Sequence, residues 1–202
     1  MVGKNGIFTE SDFLELVHTE PDGSKWLHVF HHNNPSVNLF SSSDDFENGV
    51  YKSKDMWFFV NYCKNFTKWE FLHIQRSTET ANPVKHRWIQ TVSPYGTSYD
   101  AVKPASVTRI STSGYTDDGQ GGMYKMNSST YLVITNASNG NWFGATGCWT
   151  AYQGGIPGFP STVVTTGCID LFIRIDNTTV PQDSITTKIR KDSIQSVNFI
   201  EI

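Results

Sequence analysis

Charge is scarce in this chain. Asp, Glu, Lys and Arg make up 17% of its 202 residues, and the net charge is −3. A nucleic-acid backbone is held by a strongly basic surface, which this composition does not supply. Long apolar runs are missing too. None reaches the roughly 18 residues a membrane-spanning helix needs. The first residues, MVGKNGIFTESDF, hold a lysine but not the apolar stretch of a secretory leader. The expectation is a chain that neither inserts into a membrane nor binds nucleic acid. Its four Asn-x-Ser/Thr sequons, at Asn65, Asn127, Asn136 and Asn177, are then expected to stay unmodified.

Cysteine is sparse as well. Cys63, Cys148 and Cys168 are an odd number, far apart, without a C-x-x-C pair. That excludes a zinc knuckle and a dense disulfide framework. Buried thiols acting as small apolar groups are expected. A Cys148–Cys168 bridge stays open if their strands are neighbours. The sequence also lacks G-x-S-x-G, a Walker loop and G-x-G-x-x-G.

Aromatic residues, by contrast, reach 13%, with 16 Gly and 8 Pro. High aromatic content and low charge are the opposite of a disordered composition. The dominant period is two. Lys25–His32, Asp55–Tyr62, Lys68–Gln75, His86–Val92, Tyr131–Thr135, Asn141–Trp149, Thr162–Thr166 and Cys168–Ile175 are aromatic or β-branched runs bounded by turn formers. Weaker strands fall near Ser106–Ile110 and Met123–Met126. The best helix candidate is Thr9–Val17, which reads equally as a strand. Ser111–Gly122 (STSGYTDDGQGG) is expected to be a surface loop.

The fold class expected is all-β: an antiparallel β-sandwich, jelly-roll-like, with short terminal arms and less than about one-sixth helix. Residues 1–24 form the N-terminal arm, 25–177 the sandwich and 178–202 a C-terminal strand or arm. Several strands read as apolar on both faces. In Lys25–His32, Trp26 and Phe30 are expected to point one way, and Leu27 and Val29 the other. Cover on both sides, by a second sheet, loops or a neighbouring subunit, is expected.

Three groups of residues invite a chemical reading. His28, His31 and His32 cluster in H-V-F-H-H. On a regular strand His28 and His32 share a face and His31 opposes them. A metal there would need a third ligand from elsewhere and a fixed second layer of contacts, so a structural role is expected. Asp117–Gly121 (DDGQG) resembles part of a calcium loop but lacks the closing Glu; a solvated turn is the expected reading, with a loose calcium site at the sandwich edge as the alternative. Glu70, Asp100, Asp170 and Asp176 are the carboxylates from which a glycosidase pair would have to come, and sequence spacing does not pair them. No complete ligand set is present, so the protein is expected to act without a metal or organic cofactor, and not as an enzyme.

The most distinctive stretch is Gly140–Asp176. Trp142 and Trp149 flank a glycine-rich strand, and G-G-I-P-G-F-P is a proline-restricted loop. A subunit or ligand contact built from Trp142, Trp149, Tyr152, Ile156 and Phe159, with Asn141 and Gln153 beside them, is expected there. Aromatic faces suit sugar C–H groups, and amides suit hydroxyls. A well-packed crossover is the plainer alternative.

The runs H-R-W-I-Q-T-V-S-P, G-G-M-Y, Y-L-V-I-T-N, G-N-W-F-G-A-T-G-C-W and G-G-I-P-G-F-P together resemble a domain of tailed-bacteriophage virion proteins. The resemblance is in particular to the fibre and appendage proteins of gut phages, crAss-like ones included. The resemblance spans Trp26 to Asp176, and the closing K-D-S-I-Q-S-V-N-F-I-E-I is similar to the strand on which such fibres end. It implies a β-sandwich carried on a virion, commonly trimeric, facing outward or acting as a connector. The partners implied are further copies of the chain, other virion proteins and host-surface polysaccharide. The resemblance carries no catalytic residues over. A lectin-like carbohydrate-binding module is the alternative, with a glycan depolymerase behind it.

Overall fold

A computed structural model describes residues 10–33, 58–77, 81–95, 107–113, 120–125, 132–136, 142–146, 156–158 and 161–176. Within them the chain is mostly antiparallel strand with little helix. After helix α1 (Glu10–Glu15) come β1 (Val17–Thr19), β2 (Lys25–His32), β3 (Trp69–Arg76), β4 (Val84–Gln90) and β5 (Val107–Ser113). Then follow β6 (Gln120–Lys125), β7 (Leu132–Asn136), β8 (Trp142–Thr146), β9 (Ile156–Gly158), β10 (Ser161–Thr166) and β11 (Cys168–Arg174). The main sheet has the order β1-β2-β11-β3-β4-β5; a second sheet is β6-β7-β8, and β9 pairs with β10. A late strand, β11, is thus inserted between two early ones.

The expected strands in β2, β3, β4 and β11 form where their alternation placed them. The Asp55–Tyr62 strand does not, over its described residues from Phe58 on. Phe58–Tyr62 is a π-helical turn running into a tight turn at Cys63–Asn65. A continuous apolar run suits strand and helix alike, and length and packing decide. Here Phe58, Phe59, Tyr62, Cys63 and Phe66 are all buried, a helical spacing that lays one face on the sheet. Thr9–Val17 divides: α1 occupies its middle, and Val17 begins β1. Ser111–Gly122 is not wholly a loop, because β5 runs to Ser113 and β6 starts at Gln120. The expected Gly-Pro loop likewise contains the short strand β9.

One face of the main sheet is the core. Leu27, Phe30, Trp69, Phe71, Trp88, Ile169, Leu171 and Ile173 point into it, and Phe13, Phe58, Phe59, Tyr62, Phe66, Tyr95 and Met123 cover it. Rings meet edge-on at Phe13–Phe58 (5.3 Å) and Tyr62–Phe66 (5.2 Å), while Phe71 stacks on Trp88 at 4.9 Å. Each such side chain, fully buried, contributes about 1.5–3 kcal/mol. Trp26 and Phe30 were expected to share a face but do not. A bulge in β2 is the reason: Phe30 pairs with Leu171 while His28 pairs with Phe172, so Val29 is an extra residue. Beyond the bulge the alternation changes parity. Trp26 stands on the open face, and Leu27, Phe30 and His32 on the core face.

Cys63 and Cys168 are buried thiols rather than half-cystines, as small apolar fillers should be. Cys148 lies outside the described residues, as do Asp117, Asp118 and everything beyond Asp176. Among the described residues no helix is long and apolar enough to cross a membrane.

Candidate functional site

The second face of the main sheet, open at a cleft under the β1–β2 turn but with Trp26, Glu70, Ile74 and Asp170 buried on it, carries the polar chemistry. Register puts Trp26, His28 and His31 of β2 on it, with Asp170, Phe172 and Arg174 of β11 beside them. Glu70, Leu72, Ile74 and Arg76 of β3 follow, then Lys85, Arg87 and Ile89 of β4. Side chains at alternate positions share a face, so this parity is set strand by strand.

Two networks cross the face. In the first, Asp170 Oδ1 receives His28 Nε2 at 3.0 Å and His31 Nδ1 at 2.7 Å, and Arg76 Nη1 binds Oδ2. Asp170 itself is buried. Burial alone would raise its pKa, but the hydrogen bonds from His28, His31 and Arg76 outweigh that and hold the carboxyl well below the usual carboxylate range. The His28 ring stacks on Phe172 at 4.5 Å, nearly parallel, which fixes its orientation. In the second network, Arg87 binds Glu70 Oε1 through Nε at 2.7 Å, and Arg174 Nη1 approaches Oε2 at 3.5 Å. Arg174 also holds Asp176 with a two-pronged grip, 2.9 and 3.1 Å. That grip, against a small opposing effect of burial, lowers the Asp176 pKa.

The β1–β2 turn borders this face. Its hydrogen bonds are local: Glu20 N donates to Ser24 O, Gly23 N to Glu20 O and Ser24 N to Asp22 Oδ1, each at 2.9 Å. Gly23 has φ of 82°, the left-handed conformation that favours glycine. Ser24 Oγ in turn accepts from Trp26 Nε1 at 2.9 Å, and the Arg87 guanidinium lies 5.0 Å over the Trp26 ring. Between the turn and β3, β4 and β5 lies a cleft of about 520 Å³, lined by Asp22, Trp26, Leu72, Lys85, Arg87 and Ser111 among others.

The histidine expectation needs correcting. The bulge at Val29 puts His28 and His31 together on the open face and turns His32 into the core, the reverse of a regular strand. Of the expected contact residues, Trp142 opens β8, where it pairs with Thr135, and Ile156 opens β9, where it pairs with Thr166. Asn141, Trp149, Tyr152, Gln153 and Phe159 lie outside the described residues. Glu70, Asp170 and Asp176, considered as acids for hydrolysis, are each bound by arginine; Asp100 lies outside the described residues.

Sequence reasoning missed Arg76, Arg87 and Arg174. A signal was present: in β3, β4 and β11 every charged residue falls on one parity. Comparison with family models, with curated proteins and with solved structures finds no match for this chain.

Proposed function

We propose that this chain is a non-enzymatic structural protein of a tailed-phage virion, a head or tail fibre, appendage or decoration, and that its open sheet face meets host-surface polysaccharide. The observation that carries the binding part is the cleft beneath the β1–β2 turn. Its volume falls in the range of small-ligand sites, and it offers Leu72 and the edge of the buried Trp26 ring beside Asp22, Lys85, Arg87 and Ser111. Hydroxyl-rich ligands are bound by such mixtures of carboxylate, cation and ring edge. The virion part rests on the sequence resemblance alone, carried by His86–Pro94, Gly140–Trp149 and the neighbouring runs.

In this reading the β6-β7-β8 sheet and the β9–β10 pair supply the second layer of a jelly-roll-like sandwich. Further copies complete a homotrimer on the virion, where Trp142, Trp149, Tyr152, Ile156 and Phe159, with Asn141 and Gln153, form the subunit or ligand contact. The partners are those copies, other virion proteins and the glycan. Nucleic acid and membrane are not partners. The carboxylates favour binding over hydrolysis: a general acid needs a raised pKa, and Asp170 and Asp176 are held low.

Light scattering on the intact chain, a glycan array and a reducing-sugar assay test this together. A trimer that retains a glycan, and loses it in Lys85→Ala without loss of stability, is the expected result. A glycan-binding monomer would favour the lectin-like module. Release of reducing ends would overturn the non-enzymatic reading.

A further inference from the structure

The cluster of His28, His31 and Asp170 is more than a hydrogen-bond hub. We propose that His28 Nε2, His31 Nδ1 and Asp170 Oδ1 form a binding site for a borderline divalent cation of the zinc class. These three donor atoms lie within 4.8 Å of one another. A cation with ligands at about 2.1 Å has neighbouring donors about 3.0–3.4 Å apart, in octahedral and tetrahedral geometry respectively. The carboxylate oxygen already stands 3.0 and 2.7 Å from the two nitrogens. The two nitrogens, no more than 4.8 Å apart, have to draw together on one ion, and His31, the more exposed of the two rings, is the one placed to move.

The third ligand and the supporting contacts come from tertiary structure. Asp170 lies 142 residues from His28 and 139 from His31 in the chain. Arg76 occupies Oδ2, so the carboxylate presents Oδ1 alone as a ligand. Phe172 holds the His28 ring flat. The bulge at Val29 gives two histidines three residues apart the same outlook, which a regular strand forbids. Supporting contacts of this kind orient metal-binding histidines and carboxylates. Two imidazoles and one oxygen suit zinc, cobalt or nickel better than calcium, which takes six or more oxygens. The protons with which His28 Nε2 and His31 Nδ1 now bond to Asp170 Oδ1 have to leave those two atoms when a cation binds, to the other ring nitrogen or to water, so cobalt binding weakens as the pH falls. Three protein ligands leave at least one position for water or a ligand oxygen.

Cobalt titration of the intact, chelator-treated protein tests the site, followed by displacement with zinc. One cobalt per chain is expected, with visible absorption bands that zinc abolishes and a higher melting temperature. Asp170→Asn should remove binding. Because Asp170 is buried and that variant can fail to fold, His31→Ala, at a half-exposed ring, is the second variant; it should weaken cobalt binding at least about tenfold. His18→Ala, at an exposed histidine outside the cluster, should bind as the unaltered protein does. Absence of stoichiometric binding overturns the proposal. So does binding that survives His31→Ala and His28→Ala undiminished.

Discussion

Gln90 grips the backbone of Met123 with both ends of its amide. Oε1 accepts from Met123 N at 2.8 Å, and Nε2 donates to Met123 O at 3.0 Å. The same oxygen accepts from Trp88 Nε1 at 3.1 Å, and the same nitrogen donates to Val92 O at 2.7 Å. One buried side chain thus ties β4 of the main sheet to β6 of the second. Gln90→Leu keeps the volume and strands the Met123 N–H and the Trp88 indole. Each buried polar group left unsatisfied costs about 1–3 kcal/mol. The expected result is a urea midpoint lowered by the equivalent of several kcal/mol, with the slope of the transition unchanged. An unshifted midpoint would mean that the two sheets do not depend on this link.

Gly23 offers a cleaner test of the turn. A methyl group there would meet nothing within 4 Å, so a substitution costs backbone strain alone. Gly23→Ala is expected to destabilise by roughly 1–2 kcal/mol, and Gly23→Asn by less. Thermal melts of the three proteins check the order. Equal melting temperatures would contradict the positive φ at this turn.

His73 and His86 face each other across β3 and β4, and both are buried. Burial, with the charges of His86 and Arg109 respectively, lowers each pKa to about 3. The unfolded chain protonates both near 6.5, so between about 6.5 and 3 it binds more protons than the folded one. Stability therefore rises with pH through that window. The contribution is fully present above pH 6.5 and lost on acidification, by up to about 1.4 kcal/mol per pH unit for each proton of difference. Urea titrations at a series of pH values should show this slope, reduced in His86→Leu. A stability that stays flat from neutral pH to pH 4 would overturn it.

Cys63 is completely buried, and burial pushes its thiol pKa up. Cys168 is buried as well. Neither should react with a thiol reagent in the native protein, and both should react in denaturant. Counting fast and slow thiols with Ellman's reagent checks this. More than one fast thiol in the native state would show that at least one of the two is accessible.

Legibility in the sequence followed the strength of the local pattern. His86-Arg87-Trp88-Ile89-Gln90 alternates, and β4 sits within two residues of its expected start and end. Phe58-Phe59-Val60-Asn61-Tyr62 has no alternation to read, and there the expected strand is a helical turn. Ser111–Ser113 and Gln120–Gly122 look like loop by composition, yet pair as β5 and β6. A partner strand supplies hydrogen bonds that outweigh weak intrinsic preference. The site was less legible than the fold. His28, His31 and Asp170 were each visible as potential ligands, but on a regular strand the two histidines face opposite ways.

The sequence by itself determined the β-rich class and the positions of β2, β3, β4 and β11. A strand with apolar packing on one face and charged side chains on the other must write that period into its own residues. Tertiary structure alone decided the strand order, the insertion of β11 between β2 and β3, and the bulge at Val29. Those depend on which backbone groups find each other across about 90 to 150 residues, and a local period carries no information about a distant partner. The meeting of His28 and His31 at one oxygen of Asp170 is a consequence of all three.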